Sequence, residues 1–318
     1  MVYVLFIIGF VFLIKGADVL VEGASSIAKK FKVSDLVIGL TIVAFGTSAP
    51  ELVVNIMASL KGSAGIAIGN ILGSNISNIL LILGVSAIVY PLSVKKTTTF
   101  KEIPFSLLAV IILGIVANDV LIDGAILNGI TRIDGLVLLG FFAIFLYYVF
   151  STSKSEESPE VDVKKMSMWK SILFIALGLV GLTLGGKWIV DGAIHIATIL
   201  GMSETVIGLT IVAVGTSLPE LATCVVAAMK KKSDIAIGNV VGSNIFNIFW
   251  ILGLSATINP LPFQMGWDRD IIMTIIATFL LFLFILIGKK ESVIDKYEGI
   301  IMLVIYIIYV SLLVVGVI

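Results

Sequence analysis

Residues 37–60 read VIGLTIVAFGTSAPELVVNIMASL, and residues 206–229 read VIGLTIVAVGTSLPELATCVVAAM. Aligned, the two stretches agree at 15 of 24 positions, so the chain carries an internal repeat, the feature to be sought first in any sequence. The register is fixed: Gly39 aligns with Gly208, Thr47 with Thr216 and Glu51 with Glu220, each pair 169 residues apart. A second block follows each copy at the same offset. IAIGNILGSNISNILLILGVSAIVYP from Ile66 and IAIGNVVGSNIFNIFWILGLSATINP from Ile235 agree at 17 of 26 positions. Upstream, Gly16, Glu22, Gly23 and Ala24 align with Gly185, Asp191, Gly192 and Ala193. The chain is a tandem duplication, with halves 1–150 and 169–318. The linker 151–168, STSKSEESPEVDVKKMSM, mixes both signs of charge with a proline.

Of 318 residues, 59 % are hydrophobic and 13 % charged, and the mean hydropathy is +1.17. A soluble domain carries about 25 % charge, so this is an integral membrane protein whose surroundings are the lipid bilayer. The 21 Lys and Arg cancel the 21 Asp and Glu, which gives a nucleic acid nothing to bind. The single cysteine, Cys224, excludes an internal disulfide and any cysteine metal cluster, and the single histidine, His195, reads as a helix-end residue. No cofactor and no obligatory protein partner is implied. The apolar start, Met1 to Ile14, lacks a basic leader and reads as the first span.

A membrane helix needs about 20 mostly apolar residues. By that measure ten candidate spans run 2–26, 36–60, 66–90, 103–118, 133–150, 170–199, 205–229, 235–258, 270–288 and 298–317. The loops after odd-numbered spans hold sixteen Lys and Arg; those after even-numbered spans hold Lys61, Arg132 and Arg269 alone. By the positive-inside rule the odd loops are cytoplasmic and both termini extracellular. Five spans per half is an odd number, so the second half inserts upside down relative to the first. The fold class predicted is all-α, with ten transmembrane helices built as two inverted five-helix repeats and interrupted helices meeting at their interface. Secondary transporters of that design bind substrate at the repeat interface.

Among the acids, Glu51 and Glu220 alone sit deep in apolar runs, where a charge costs upwards of about 2.5 kcal/mol and marks an ion pathway. Pro50 and Pro219, which lack an N–H and clash one turn back, break the helices beside them. Carbonyls near Ala44 and Ala213 are thereby made available to a cation. Thr47 and Glu51, and likewise Thr216 and Glu220, are four residues apart and share a helix face; Ser48 and Ser217 are three from the same glutamates. Ser74 with Asn78, and Ser243 with Asn247, repeat the four-residue spacing. Such an oxygen-only donor set suits a hard cation, Ca2+ or Na+. For the glycines of the second block, and for Asn70, Asn75, Asn239 and Asn244, close packing or helix-end hydrogen bonding is the expected role. No nucleophile, base and orienting group converge, so an enzyme is not expected.

GTSAPE and GTSLPE, followed by GNILGSN and GNVVGSN, resemble the paired repeats of the calcium/cation antiporter superfamily, in particular its prokaryotic sodium/calcium exchangers. The resemblance covers nearly the whole chain. It implies exchange of cytoplasmic Ca2+ for external Na+ by alternating access in a prokaryotic cell membrane, with more than two Na+ per Ca2+ and net charge movement. It makes Glu51 and Glu220 the coordinating carboxylates. Thr47, Ser48, Ser74, Thr216, Ser217 and Ser243 become hydroxyl ligands, and Ala44 and Ala213 carbonyl ligands. Asn78 and Asn247 stand where some relatives carry one aspartate; two amides here argue against the potassium-dependent branch. Spans one and six, with Gly9, Gly16, Gly178, Gly181, Gly185 and Gly186, are expected to slide against spans two, three, seven and eight. The alternatives are a Ca2+/H+ antiporter and, in another class, a cation channel selecting through its glutamates.

Overall fold

A computed structural model describes residues 2–152, 166–200, 213–264, 266–288 and 292–315. They are helical almost throughout, as lipid requires, because a helix satisfies its own backbone polar groups. In chain order the helices are α1 (Val2–Phe31), α2 (Asp35–Thr47), α3 (Ala49–Leu60), α4 (Ala64–Val89), α5 (Thr98–Val116), α6 (Arg132–Thr152), α7 (Met168–Ile199), α8 (Leu218–Met229), α9 (Ser233–Ile258), α10 (Asp268–Ile287) and α11 (Lys296–Val315).

Eight of these are long and apolar enough to cross a membrane, and nine if the bent pair α2 and α3 forms one span. Helix α8, at 12 residues, does not reach that length by itself. Residues 201–212, assigned by sequence to the start of the seventh span, lie outside the described residues, as do 153–165 of the linker. Helix α1 runs to Phe31, a turn beyond the span predicted from its apolar residues. It ends on Lys29 and Lys30, which complement the exposed carbonyls of a last turn.

The break between α2 and α3 bends the chain by 48°. It sits at Ser48 (φ −81°, ψ 7°), and its counterpart at Ser217 (φ −86°, ψ 4°), not at the prolines. Pro50 and Pro219 fall in the first turn of the helix that follows, where a missing N–H costs nothing and the fixed φ favours helix. Hydrogen bonds one residue wider than α-helical also appear at Gly39–Val43, Asn78–Leu83 and Phe246–Leu252, within the duplicated blocks, and at Thr98–Glu102, outside them. Such π-helical turns frequently accompany functional sites.

Helices α4 and α9 form the centre; in their most apolar windows 78 % and 94 % of residues are buried, against 22 % for α6 and α11. The outer helices present Leu136, Tyr147, Ile301 and Ile308 outward, as a lipid-facing surface does. The halves interlock. Strand β1 (Leu92–Ser93) pairs with β4 (Val293–Ile294), and β2 (Gly129–Ile130) with β3 (Leu261–Pro262). Gly84 meets Gly299, and Gly253 meets Gly135, backbone against backbone. Each of these contacts of first half on second thus has a counterpart of second on first.

Helices α1 and α7 form a separate pair whose backbones touch. A methyl group on Gly16 would lie 2.8 Å from the Leu182 nitrogen, and one on Gly185 2.6 Å from that of Leu13. Gly9, Gly178 and Gly181 line the same seam, whereas Gly186 faces Pro219 of α8. Lys230, at the end of α8, ties α1 down, with its Nζ 2.6 Å from Asp18 Oδ1 and 3.2 Å from Glu22 Oε1.

Candidate ion site

The breaks at Ser48 and Ser217 place the start of α3 beside the start of α8, and α4 and α9 cross next to them. Glu51 and Glu220, each 1 % exposed, stand in the first turns of α3 and α8. Helix N-termini favour anions there. Neither glutamate has an ion-pair partner among the described residues.

Each carboxylate is held by hydroxyls, largely from the opposite half. Ser48 Oγ donates to Glu220 Oε1 at 3.2 Å, and the Thr47 hydroxyl also reaches that carboxylate. Ser74 Oγ lies 3.5 Å from Glu51 Oε1, and Thr216 donates to the same group. The second oxygen of each, Glu51 Oε2 and Glu220 Oε2, is buried with no hydrogen-bond partner among the described residues. So are Ser217 Oγ, Ser243 Oγ, Asn78 Oδ1 and Asn247 Oδ1. Burying polar atoms unpaired costs about 1–3 kcal/mol apiece, and more for a charge. These six oxygens, which are what a dehydrated cation would satisfy, come from residues that spacing and resemblance singled out, whereas others of the same kind, such as Asn55 Oδ1, Ser86 Oγ and Ser255 Oγ, do not.

The Ala44 carbonyl is not left free by the helix break: it accepts the Ser48 N–H at 3.0 Å and lies 3.5 Å from Thr47 Oγ1. Its second lone pair is what a cation could use. At the other copy the Ser217 N–H donates to Val214 at 3.2 Å, and Ala213 opens the short helix Ala213–Thr216.

Several neighbours were not distinguished by sequence. Asn239 accepts the Thr47 hydroxyl at 3.0 Å and donates to Cys224 Sγ at 3.3 Å, so the one thiol is buried structure. Asn75 and Asn244 bond to each other's carbonyls and to Asn247 and Asn78. The signal that could have found them was the exact recurrence of GSN, which spacing alone cannot divide between packing and positioning.

A multi-pass membrane protein with two buried carboxylates and a shell of neutral oxygens, contributed by two related halves, has the parts of a hard-cation transporter. The sodium/calcium exchanger protein family model matches residues 1–151 and 170–315, and the chain belongs to that family. It is 34 % identical over 345 aligned positions to sodium/calcium exchanger MaX1 of Methanosarcina acetivorans, covering 98 % of each chain. It is 38 % identical to the membrane protein MJ0091 of Methanocaldococcus jannaschii, covering 98 % of this chain and 97 % of that one. Its fold matches the sodium-calcium exchanger NCX_Mj, with a TM-score of 0.83 at 37 % identity, over 98 % of this chain and 97 % of that structure.

Proposed function

We propose that this protein is a secondary antiporter exchanging Na+ for Ca2+, with Glu51 and Glu220 as the shared carboxylates. The observation that carries the reading is the pair of buried, unpaired carboxylate oxygens surrounded by unpartnered hydroxyl and amide oxygens. Ca2+ takes six to eight oxygens, and the set offers two charges to neutralise it. Thr47, Ser48, Ser74, Asn78, Thr216, Ser217, Ser243 and Asn247, with the carbonyls of Ala44 and Ala213, supply the remainder.

The full architecture in this reading is ten spans, with residues 205–229 as the seventh, arranged as two inverted repeats of 1–150 and 169–318. The exchange of contacts between halves supports it: Asn75 donates to the Asn244 carbonyl at 3.3 Å, and Asn244 to the Asn75 carbonyl at 3.4 Å. With the odd loops and the 151–168 linker cytoplasmic, both termini lie outside. The Lys230 contacts then close the cytoplasmic end, and the carrier faces outward. Helices α1 and α7, held together along their glycine seam, slide as a pair against α2, α3, α4, α8 and α9 to open the other face.

Two glutamates balance one Ca2+ or two Na+, and the neutral oxygens solvate a third Na+ without another carboxylate. The sodium-loaded carrier is then cationic, and one elementary charge crossing the membrane is worth about 2.3 kcal/mol per 100 mV. The decisive experiment is Ca2+ flux in proteoliposomes with Na+, K+ and H+ gradients imposed separately under a valinomycin-clamped potential. The expected result is Ca2+ flux driven by Na+ alone, with Ca2+ extrusion accelerated by an inside-negative potential. Flux driven by H+ would make the protein a Ca2+/H+ antiporter, and Ca2+ leak needing no counter-cation would make it a channel. A reversal point indifferent to voltage would leave exchange electroneutral.

A further inference from the structure

Asn75, Asn78, Asn244 and Asn247 are buried to within 1 % and form a ring across the two halves, closed between Asn75 and Asn244 and bearing Asn247 and Asn78 as its branches. Asn78 Nδ2 donates to Asn244 Oδ1 at 2.9 Å, and Asn247 Nδ2 donates to Asn75 Oδ1 at 2.9 Å. The remaining ends of Asn75 and Asn244 donate to each other's backbone carbonyls. An amide's oxygen and nitrogen ends are nearly the same size, so sterics alone do not orient it. A backbone carbonyl, however, can only accept. The Asn244 carbonyl therefore fixes Asn75 with its Nδ2 inward to the ring bond. Asn75 Oδ1 then demands the Nδ2 of Asn247, and Asn247 Oδ1 is left facing away, buried and unpartnered. The same chain of constraint runs from the Asn75 carbonyl through Asn244 to Asn78 Oδ1.

We propose that Asn75 and Asn244 are positioning residues for the ion site: without touching the cation, they lock the amides of Asn247 and Asn78 so that oxygen, never NH2, faces it. The inference rests on the cation-site reading given above. It also accounts for amides at both central positions. An ionised aspartate at 247 would meet the Asn75 oxygen, and one at 78 the Asn244 oxygen, acceptor against acceptor, so this ring selects asparagine.

The test is Na+-driven Ca2+ uptake in proteoliposomes by the full chain, its single variants and a double-mutant cycle. Asn75→Ala should raise the KM for Ca2+ by about ten-fold or more with maximal rate within about two-fold, the loss usual when a partner of a metal ligand is removed. Combined with Asn247→Ala it should add nothing further, because no amide is left to orient, whereas with Asn78→Ala the two effects should add. Asn244→Ala should show the reverse pairing, epistatic to Asn78 and additive with Asn247. An unchanged KM in Asn75→Ala, additivity in both pairings, or loss of folded protein in both Asn75→Ala and Asn244→Ala would overturn the proposal. Failure of the cation reading looks different: the wild-type chain would show no Na+-dependent Ca2+ uptake, or Glu51→Gln would leave it intact.

Discussion

Helices α4 and α9 carry the same GN and GSN letters at equivalent places and are buried to different degrees, 78 % and 94 % of their most apolar stretches. A methyl group on Gly238 would lie 2.8 Å from the Leu36 carbonyl, and one on Gly242 2.8 Å from Ala44 Cβ. Asn70 is half-buried where Asn239 is fully buried. Helices α1 and α7 divide in the same way. Ala24, Ser25, Ser26 and Ile27 are buried, while their counterparts Ala193, Ile194 and Ile196 are half-buried and His195 is exposed. Burial along the flanks thus differs between the halves, and at Ser25 against Ile194 and Ser26 against His195 the residues differ as well. The centre does not share this inequality, since the two glutamates are equally buried and each keeps one unpartnered oxygen.

If the inequality is confined to the flanks, the two central acids must be equally indispensable, and this gives the largest effect. Glu51→Gln and Glu220→Gln should each abolish Ca2+ uptake while remaining monodisperse on size-exclusion, because a divalent cation stripped of water needs opposing charge. Uptake surviving in one variant alone would show that the halves differ at the centre too.

A smaller effect probes the flanks. Gly242→Ala forces a methyl against Ala44 and Leu40 and should destabilise the fold by about 1–3 kcal/mol, as overpacking does. Gly140→Ala, at an exposed position of α6 with no described atom within 4 Å, should not lower the melting temperature. Equal losses in the two variants would erase the distinction between the packed centre and the outer helices.

The smallest effect belongs to the ion pairs. Lys230 is 29 % exposed and its partners Asp18 and Glu22 36 % and 45 %, so Lys230→Gln should cost no more than about 1 kcal/mol. The loss should appear at low salt and vanish at high salt. Lys61, its counterpart, has no such contact among the described residues, and Lys61→Gln should leave stability unchanged at any ionic strength. An equal, salt-sensitive loss in both would mean that Lys61 is engaged as well.

The duplication, the membrane class and the central acids were legible in the sequence because charge in an apolar run and recurrence at fixed spacing are local signals. Pro50 announced a helix break, but its position at Ser48 was not legible: proline reports where a helix can begin as readily as where one fails. The π-helical turn at Asn78 has no letter of its own. Asn75 and Asn78 look alike in GSNISN, and only the meeting of α4 with α9 assigns one to the ring's carbonyl and the other to the site. Lys230 and Asp18 are far apart in sequence, and nothing local pairs them.

The exchanged strands bear on how such a chain arises. β1 pairs with β4 and β2 with β3, so a half standing alone would leave two strands unpaired and bare the glycine faces of Gly84 and Gly135. Contacts in which each member serves the other identically are those of a symmetric homodimer. An ancestor of half this length could have been stable only as two copies joined about a two-fold axis, and fusion of its genes would have freed one copy to drift. The drift is visible at Asn55 and Cys224, equivalent positions that now carry an amide in one half and a thiol in the other.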